Sequence, residues 1–288
     1  MDEVRQACAV CPPEVLEAIL RQSFARDIEE IRLRNGQSIS VTVRGEERKI
    51  QSPVVTGQWL EDTIARATGH AVFSAQHMLK NGFVTVAGGH RLGICGTAIV
   101  HGDEISGFKE ISSVNLRIAR QIGGIASKTA DALWLNPRSA LIIGAPGVGK
   151  TTLLRDLIRQ LSDRFSFRIG VADERMELGA SFNGRPQFDL GTHTDVLSGM
   201  RKETAVEYLL RTMSPQWIAV DEITAAEDIE TMLRASYCGV SFLATAHAAD
   251  REDLRHRELY RRLLSCGIFE NLVTIRRDRT VVTERMST

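Results

Sequence analysis

Apolar residues recur at two different spacings in the first 120 residues, and each spacing predicts a different element. Between residues 12 and 24 they recur every third or fourth position behind a proline, as in an amphipathic helix. Around Asn35 and Gly36 polar and apolar residues alternate, which predicts a hairpin of strands 30–33 and 38–43 before another turn at Gly45. The same reasoning predicts helices over 58–68 and 74–80 and strands over 84–87, 92–95 and 114–118. A mixed α+β domain is the result.

The pattern changes after the pair Gly123 and Gly124, the best linker candidate because glycine leaves the backbone free to swivel. Beyond it, buried strands alternate with helices of ten or more residues, which is typical of a parallel sheet covered on both faces. The strands end near Gly144, Asp173, Asp221 and Thr245, and the helices follow over 151–161, 202–212, 226–237 and 250–265. We therefore predict an α/β protein with an N-terminal α+β domain (1–121), a linker (122–124) and a mostly parallel second domain (125–288).

The composition narrows the class of protein. The 36 basic and 36 acidic side chains cancel, so no overall field attracts a polyanion, and this argues against a nucleic-acid partner. The longest apolar runs, such as residues 240–246, are far shorter than the ~18 residues that span a bilayer, so no transmembrane span is expected. No signal peptide is recognisable at the acidic N-terminus, and we expect a cytoplasmic protein. Five scattered cysteines fit reduced thiols, and the pair Cys8 and Cys11 lacks the second pair of a structural zinc site.

A glycine-rich segment, residues 144–151, matches the phosphate-loop pattern G-x-x-x-x-G-K-[ST]. It directly follows the apolar strand 140–143 and precedes an amphipathic helix, which is the context that this motif requires. Glycines let backbone N–H groups surround a phosphate, Lys150 can reach the β and γ oxygens, and Thr151 can bind Mg²⁺. The candidate nucleotide-binding residues are Gly144, Ala145, Pro146, Gly147, Val148, Gly149, Lys150, Thr151 and Thr152.

A second segment, residues 217–222, runs from four apolar residues into two carboxylates and has the form of a Walker B motif. Asp221 at the strand end is the candidate magnesium residue, and Glu222 is the candidate base that polarises the attacking water. An acidic pair after a strand can also simply begin a helix. Because a phosphate loop is present in the same chain, we favour the interpretation that Asp221 and Glu222 take part in phosphoryl transfer.

A third buried strand, residues 240–247, delivers Thr245 and His247 to its carboxyl end, where ligands of doubly wound sheets bind. If this strand inserts between the phosphate-loop strand and the Asp221 strand, either residue could sense the γ-phosphate, which is the role of the extra strand in the RecA-like branch of the phosphate-loop ATPases. The alternative is that His247 is an ordinary surface residue.

Four charges crowd the segment 171–178, between the phosphate loop and the second motif. The succession of phosphate loop, acidic segment, residues 214–222 and residues 244–247 resembles the secretion and pilus-retraction ATPase superfamily, with its Walker A, Asp box, Walker B and His box. Within it, the segments 171–178, 191–199 and 30–34 resemble the sporulation stage III AA family. The resemblance implies a RecA-like P-loop NTPase core.

The resemblance also implies roles for single residues. The acidic box of the superfamily supplies carboxylates near the nucleotide, and Glu174 and Glu177 fall on it, with Asp173 one register step away; a solvated loop is the alternative. Arg211 matches an arginine placed near the active site or a subunit interface, although it could equally offset a helix dipole. Asp221 departs from the pilus motors, which usually have glycine there, so metal geometry closer to ordinary RecA-like enzymes is expected.

Two further groups of arginines stand out. Arg117 and Arg120 precede the linker, and the resemblance makes them candidates to reach a nucleotide from the N-terminal domain; otherwise they are exposed strand charges. A run of arginines on the predicted helix 250–265 alternates with acidic residues and is interpreted as a salt-bridged surface. Its members are Arg251, Arg255, Arg257, Arg261 and Arg262.

The leading hypothesis is a Mg²⁺-dependent ATP hydrolase. The resemblance implies a homo-hexameric ring that acts in endospore formation, docked on membrane proteins of a channel from mother cell to forespore. Two alternatives stay open: a nucleic-acid-stimulated RecA-like ATPase, and a nucleotide-gated scaffold that binds ATP and barely turns it over.

Overall fold

A computed structural model describes residues 1–69, 83–101 and 104–286. The chain divides into two compact units: Met1–Arg120 with Ala180–Gln187, and Gln121–Gly179 with Phe188–Thr288. The segment Ala180–Gln187 joins the first unit although second-unit residues flank it, and Gln187 accepts the backbone N–H of Gly88 at 2.8 Å. The sequence did not indicate this excursion. The domains 1–121 and 125–288, with a linker at 122–124, stay a proposal.

The first unit contains helices, strands and one short 3₁₀ helix at Ala25–Asp27. The helices are α1 (Asp2–Cys8), α2 (Pro13–Leu20) and α3 (Gly57–Ala67). The strands are β1 (Ile28–Arg34), β2 (Ser40–Val43), β3 (Glu46–Lys49), β4 (Phe83–Val86), β5 (His90–His101) and β6 (Glu104–Arg117). They form one antiparallel sheet in the order β3-β2-β1-β6-β5-β4.

The first hairpin forms where the sequence predicts it. Gly36 adopts a φ of 75°, a conformation that glycine reaches without steric cost, and the chain turns back so that Ile31 pairs with Val41. Ile31 and Leu33, two residues apart on β1, are buried in this unit's core, as is Ile28, which lies beyond an irregularity in the register between Ile28 and Glu30. The period-two pattern therefore selected both the strand and its register.

The second unit alternates strands and helices. Its strands are β7 (Ala140–Gly144), β8 (Ile169–Asp173), β9 (Thr194–Ser198), β10 (Trp217–Val220), β11 (Ser241–Ala246), β12 (Asn271–Ile275) and β13 (Val281–Arg285). Its helices are α4 (Ser127–Leu135), α5 (Lys150–Phe165), α6 (Lys202–Met213), α7 (Ala226–Ser236), α8 (Arg251–His256) and α9 (Glu258–Ser265).

The seven strands of this unit form a sheet in the order β13-β12-β7-β11-β10-β8-β9, parallel throughout except for β13. Strand β7 is buried along its whole length because it meets a core on each face. Leu141 and Ile143 belong to one apolar cluster, whereas Ile142 belongs to the cluster that contains Leu154 of α5. Continuous apolar runs of this kind are what a sheet covered on both faces requires.

Strand β11 lies between β7 and β10, so the conditional insertion considered from sequence is confirmed. The predicted helices over 151–161, 202–212 and 226–237 are also confirmed within a few residues. Strands β3, β9, β12 and β13 were not predicted, nor were helices α1 and α4. The predicted helix 74–80 lies outside the described residues.

Three sequence predictions need correction. The predicted strands 92–95 and 114–118 are the ends of a long hairpin, β5 paired with β6. The predicted helix 12–24 ends at Leu20. The single helix predicted over 250–265 is two helices, because the backbone of Arg257 is extended (φ −95°, ψ 125°). Neither glycine nor proline marks that break, so the sequence did not indicate it.

Candidate active site

The phosphate loop connects β7 to the first turn of α5. Gly147 and Gly149 have φ values of 74° and 109°, which a residue with a Cβ rarely adopts, and α5 begins immediately afterwards at Lys150. A Cβ at position 144 would lie 2.7 Å from Val148 and 2.9 Å from the carbonyl oxygen of Ile275. The glycines are therefore needed both for backbone conformation and for close packing, and the loop ends at a helix N-terminus that favours an anion.

Lys150 is buried and bound by its own loop. Its Nζ donates to the carbonyl oxygens of Gly144 (2.8 Å) and Ala145 (3.0 Å), and it lies 3.0 Å from Nδ1 of His247. Because an ammonium group can only donate, Nδ1 accepts, which leaves the Nε2 proton of a neutral imidazole for Glu222. Burial lowers the pKa of Lys150, although the charges of Asp221 and Glu222 oppose this.

Asp221 immediately follows β10 and accepts two hydroxyl hydrogen bonds. Thr151 donates to it from the loop at 2.9 Å, and Thr245 donates from β11 at 2.6 Å. Burial raises the pKa of the Asp221 carboxyl above its ordinary value, while these two hydrogen bonds lower it in part. Three neighbouring parallel strands thus bring a carboxylate and two hydroxyls together at their carboxyl ends.

Glu222 is held by side chains from three directions. Its carboxylate binds Nε2 of His247 and the guanidinium of Arg175, and its backbone N–H donates to Oγ1 of Thr245 at 2.8 Å. Burial opposes ionisation, yet the His247 hydrogen bond and the charges of Arg175 and Lys202 outweigh it and hold the pKa of Glu222 below its ordinary value. The carboxylate is therefore ionised at neutral pH, as a general base must be.

A cavity of about 340 Å³ lies among these groups. Its lining includes the loop residues Gly147, Gly149, Lys150, Thr151 and Thr152, together with Glu177, Asp221, Glu222, Thr245 and His247. A second cavity, also about 340 Å³, shares Gly147, Gly149 and Thr152 with the first. Its other walls are mainly apolar, from Ile122, Ile125, Val148, Leu153, Ile275 and Val281, with Arg279 beside them.

The acidic segment after β8 separates into three environments. Asp173 is buried and its carboxylate accepts the backbone N–H groups of Glu177, Leu178 and Gly179 at 2.8–3.0 Å. It shapes the turn rather than lining the cavity. Glu174 is 3.9 Å from Lys202, and of these three carboxylates Glu177 is the one in the cavity wall. Glu177 thus faces the cavity, whereas neither Asp173 nor Glu174, between which the sequence left the register open, lines it.

The predicted arginines lie elsewhere. Arg211 is exposed on α6 and donates to the carbonyl oxygen of Glu207 one turn earlier. Within the first unit, Arg117 forms an ion pair with Glu30 at 3.0 Å. Arg120 donates to the carbonyl oxygens of residues 26 and 28 at 2.7 and 2.6 Å. Within the second unit, Arg211 does not line the cavity.

Two sequence features outside the cavity have structural explanations. Cys8 and Cys11 are buried free thiols in the first unit, and burial raises the pKa of Cys8 to about 12. Arg257, between α8 and α9, pairs with Asp253, and Arg262 of α9 pairs with Glu230 at 2.7 Å. These pairs agree with a salt-bridged surface.

Sequence reasoning missed three residues that contact the candidate base and its neighbours. Arg175 was noted only as a charge in the acidic segment, yet it binds Glu222. Tyr260 accepts the backbone N–H of His247 at 3.1 Å. Lys202 donates to the carbonyl oxygen of Glu222 at 2.6 Å. The sequence offered one indication of a role for Lys202: it is a basic residue at the start of a predicted helix, where acidic residues are more usual.

The sheet order, the loop and the acidic pair define the fold of the RecA-like P-loop ATPases. Solved structures with this fold include the pilus retraction motor PilT with bound ADP (TM-score 0.62, 16% identity, covering 96% of this chain and 84% of that one). The Legionella pneumophila ATPase DotB is also similar (TM-score 0.57, 17% identity, 94% and 79%). Within the described part of the chain, no helix is long and apolar enough to cross a membrane.

The sequence itself identifies the family. The model of the family "Sporulation stage III, protein AA" matches residues 6–283. The chain is 34% identical over 285 residues to stage III sporulation protein AA of Bacillus subtilis (strain 168), which covers 96% of this chain and 91% of that protein. The protein therefore belongs to the sporulation stage III protein AA family.

Proposed function

We propose that this protein binds ATP with Mg²⁺ and hydrolyses it. The observation that supports this most directly is the convergence of the phosphate loop, Asp221, Glu222 and His247 around one cavity of about 340 Å³. These groups come from three strands and one helix N-terminus, and together they match what phosphoryl transfer needs: a phosphate cradle, a cation, a metal ligand and a base.

The residues present suit a magnesium ion. Mg²⁺ prefers oxygen donors and retains several waters, so one or two protein oxygens suffice. The hydroxyl of Thr151 and the carboxylate of Asp221 are 2.9 Å apart, and both residues line the cavity. Bound magnesium would supply positive charge next to the phosphates, and we assign Thr151 and Asp221 to hold it directly or through water.

The two cavities suit the two ends of a nucleotide. The cavity lined by Lys150 and the acidic pair would take the phosphates, and the apolar one would take the base and ribose. Ile122, Ile125 and Val148 offer the flat apolar contacts that a base needs, and Arg279 offers a cation for stacking. The residues that line this cavity do not distinguish adenine from other bases, so the proposal of ATP rests on the similarity of the fold to that of known ATPases.

Binding would rearrange the hydrogen bonds of three side chains. Lys150 must exchange its loop carbonyls and His247 for phosphate oxygens. His247 then loses the donor at Nδ1 that holds it toward Glu222. Glu222 must in turn release His247 or Arg175 before it can orient a water for attack. His247 is thereby assigned to sense occupancy of the phosphate site, and Glu177 to complete the acidic wall.

The biological role follows from the family and from the motor-like fold. We propose a secretion-type motor for endospore formation, assembled as a homo-hexamer and docked through membrane proteins of a channel from mother cell to forespore. Arg117, Arg120 and Arg211 are proposed as arginines that act near subunit interfaces, as the resemblance to the secretion ATPases implies.

The decisive experiment is phosphate release from Mg·ATP by the parental protein and by Glu222→Gln. We expect the variant to bind ATP with parental affinity and to release phosphate at least about 100-fold more slowly, since it keeps the shape but not the base. Glu227→Gln is the matched control, because it neutralises an exposed carboxylate five residues further on.

The outcomes separate the proposals. Parental turnover by Glu222→Gln contradicts the assignment of the base, and no calorimetric heat with Mg·ATP contradicts nucleotide binding. Tight binding with barely measurable turnover by the parental protein favours the nucleotide-gated scaffold. Stimulation by single-stranded DNA that survives at high salt favours the nucleic-acid-stimulated ATPase. Light scattering with and without Mg·ATP tests for six copies of the 31.9 kDa chain.

A further inference from the structure

The proposed base stands on an unusual backbone. Glu222 has a φ of 62°, in the left-handed region that favours glycine, and a residue with a Cβ stays there only when its surroundings hold it. The direction of its Cα–Cβ bond, and hence of its carboxylate, depends on this conformation. A relaxation to negative φ would turn the side chain away from its present direction.

Both sides of this residue are fixed by hydrogen bonds. On the amino side, the N–H of Glu222 donates to Oγ1 of Thr245 at 2.8 Å. On the carboxyl side, the peptide that joins Glu222 to Ile223 donates its N–H to the carbonyl oxygen of Thr245 at 2.9 Å, and its carbonyl oxygen accepts from Nζ of Lys202 at 2.6 Å. Strand β11 and helix α6 therefore hold the same peptide from opposite ends.

Lys202 is itself part of a buried ion pair. It is 8% exposed at the start of α6, and its Nζ lies 3.1 Å from the carboxylate of Asp228, which is 3% exposed on α7. The same carboxylate accepts the N–H groups of Thr224 and Ala225 at 2.9 and 3.1 Å. The pair thus joins two helices to the loop that follows Glu222.

A buried ion pair is a costly way to stabilise a fold, because apolar residues of the same size often do as well. Its retention is explained if the ammonium has a task that an apolar side chain cannot perform. The carbonyl oxygen of Glu222 supplies that task, since it points into protein and needs a donor. Among the described residues around this carbonyl, Lys202 is the donor that the structure shows.

We infer that Lys202 is a positioning residue, which clamps the left-handed peptide of Glu222 and so aims its carboxylate. The inference rests on the proposed function, because it assigns Glu222 as the base. Without the clamp the segment 221–225 would sample other conformations, and the base would be in place for a smaller fraction of the time. Nucleotide binding would be unaffected, since Lys202 lies outside both cavities.

The test compares the double variant Lys202→Met/Asp228→Asn with the parental protein. Asparagine keeps an oxygen for the two backbone N–H groups and removes the charge that a lone Lys202→Met would leave unpaired. We expect kcat for ATP to fall at least about tenfold while KM changes less than about twofold. Arg201→Met is the matched control, since it removes an exposed charge at the adjacent position.

Three further measurements separate positioning from mere folding. Lys202→Arg restores a donor and should recover part of the lost kcat. Adding Lys202→Met/Asp228→Asn to Glu222→Gln should lower turnover no further, since the base is already gone. Hydrogen exchange of the segment 221–225, followed without nucleotide, should be at least about tenfold faster in the double variant than in the parent.

Parental kcat in a well-folded double variant would overturn the inference while leaving Glu222 as the base. Unchanged exchange in the segment 221–225 would overturn it whatever the turnover, because the clamp would then not hold the peptide. If the parental protein releases no phosphate, the proposed function fails by that result alone, and the exchange measurement still decides whether Lys202 clamps residue 222.

Discussion

Replacing Thr245 with valine removes one hydroxyl at the centre of the site and leaves the shape of the side chain almost unchanged. Thr245 is 1% exposed. Its hydroxyl donates to the carboxylate of Asp221 at 2.6 Å and accepts the backbone N–H of Glu222 at 2.8 Å. In Thr245→Val both partners lose a hydrogen bond, because the methyl group that replaces the hydroxyl can neither donate nor accept one.

The expected cost follows from these two contacts. A hydrogen bond to a charged group contributes about 1.5–3 kcal/mol, and a buried N–H left without an acceptor costs about 1–3 kcal/mol. Asp221 keeps its second donor, Thr151, at 2.9 Å, which limits the loss on that side. We therefore expect Thr245→Val to lower the free energy of unfolding by about 3 kcal/mol at neutral pH.

The cost should depend on pH. Burial already raises the pKa of Asp221, and the Thr245 hydrogen bond opposes this, so the valine variant has the higher folded pKa. A protonated carboxyl is buried at lower cost than a carboxylate. The difference in unfolding free energy between parent and variant is thus largest above both folded pKa values and shrinks as the pH falls through them.

The assay is urea unfolding of metal-free protein at pH 7.5 and pH 5.5, followed by tryptophan fluorescence, to which the buried Trp217 at the start of β10 contributes. Thr245→Ser keeps the hydroxyl and serves as the control. If the valine variant is no less stable than the serine variant, or if its deficit grows at the lower pH, the reasoning about Asp221 is wrong.

Two predictions concern stability elsewhere. His90 is buried and its Nδ1 accepts the N–H of Ala119, and burial lowers its pKa from 6.5 to about 4. The neutral form is favoured in the folded state, so unfolding free energy should fall by up to about 3 kcal/mol between pH 6.5 and 4, and His90→Gln should flatten that dependence. Gly191 has a φ of 90°, and a Cβ there would lie 2.5 Å from Cβ of Ser162. Gly191→Ala should therefore cost at least about 2 kcal/mol in urea unfolding. Gly199 also has a positive φ, but no atom lies within 4 Å of a Cβ placed there, so Gly199→Ala should cost less. Equal losses in the two variants would contradict the steric argument.

Elements with local causes could be predicted well from sequence. The strand, loop and helix around residues 140–165 follow from an apolar run, glycines at fixed spacing and a lysine that starts the helix. The hairpin of β1 and β2 follows from its alternation and from Gly36. In each case the residues that determine the conformation are neighbours in the chain.

Elements stabilised by distant contacts were missed or misplaced. The break at Arg257, where the backbone is extended (φ −95°, ψ 125°), is marked by neither glycine nor proline. Strand β9 has little apolar content of its own and is a strand because it pairs with β8. Tertiary context decides such segments, since their intrinsic preferences are weak.

The candidate site shows the same division. The sequence by itself determined which residue types were available: the glycine loop with Lys150 and Thr151, the carboxylates Asp221 and Glu222, and His247. Only the tertiary structure decided that β11 inserts beside β10, and that Lys202 lies against the Glu222 carbonyl. Motifs of this kind are short and carry their own backbone geometry, whereas strand order and helix docking depend on how complementary surfaces pack across many residues.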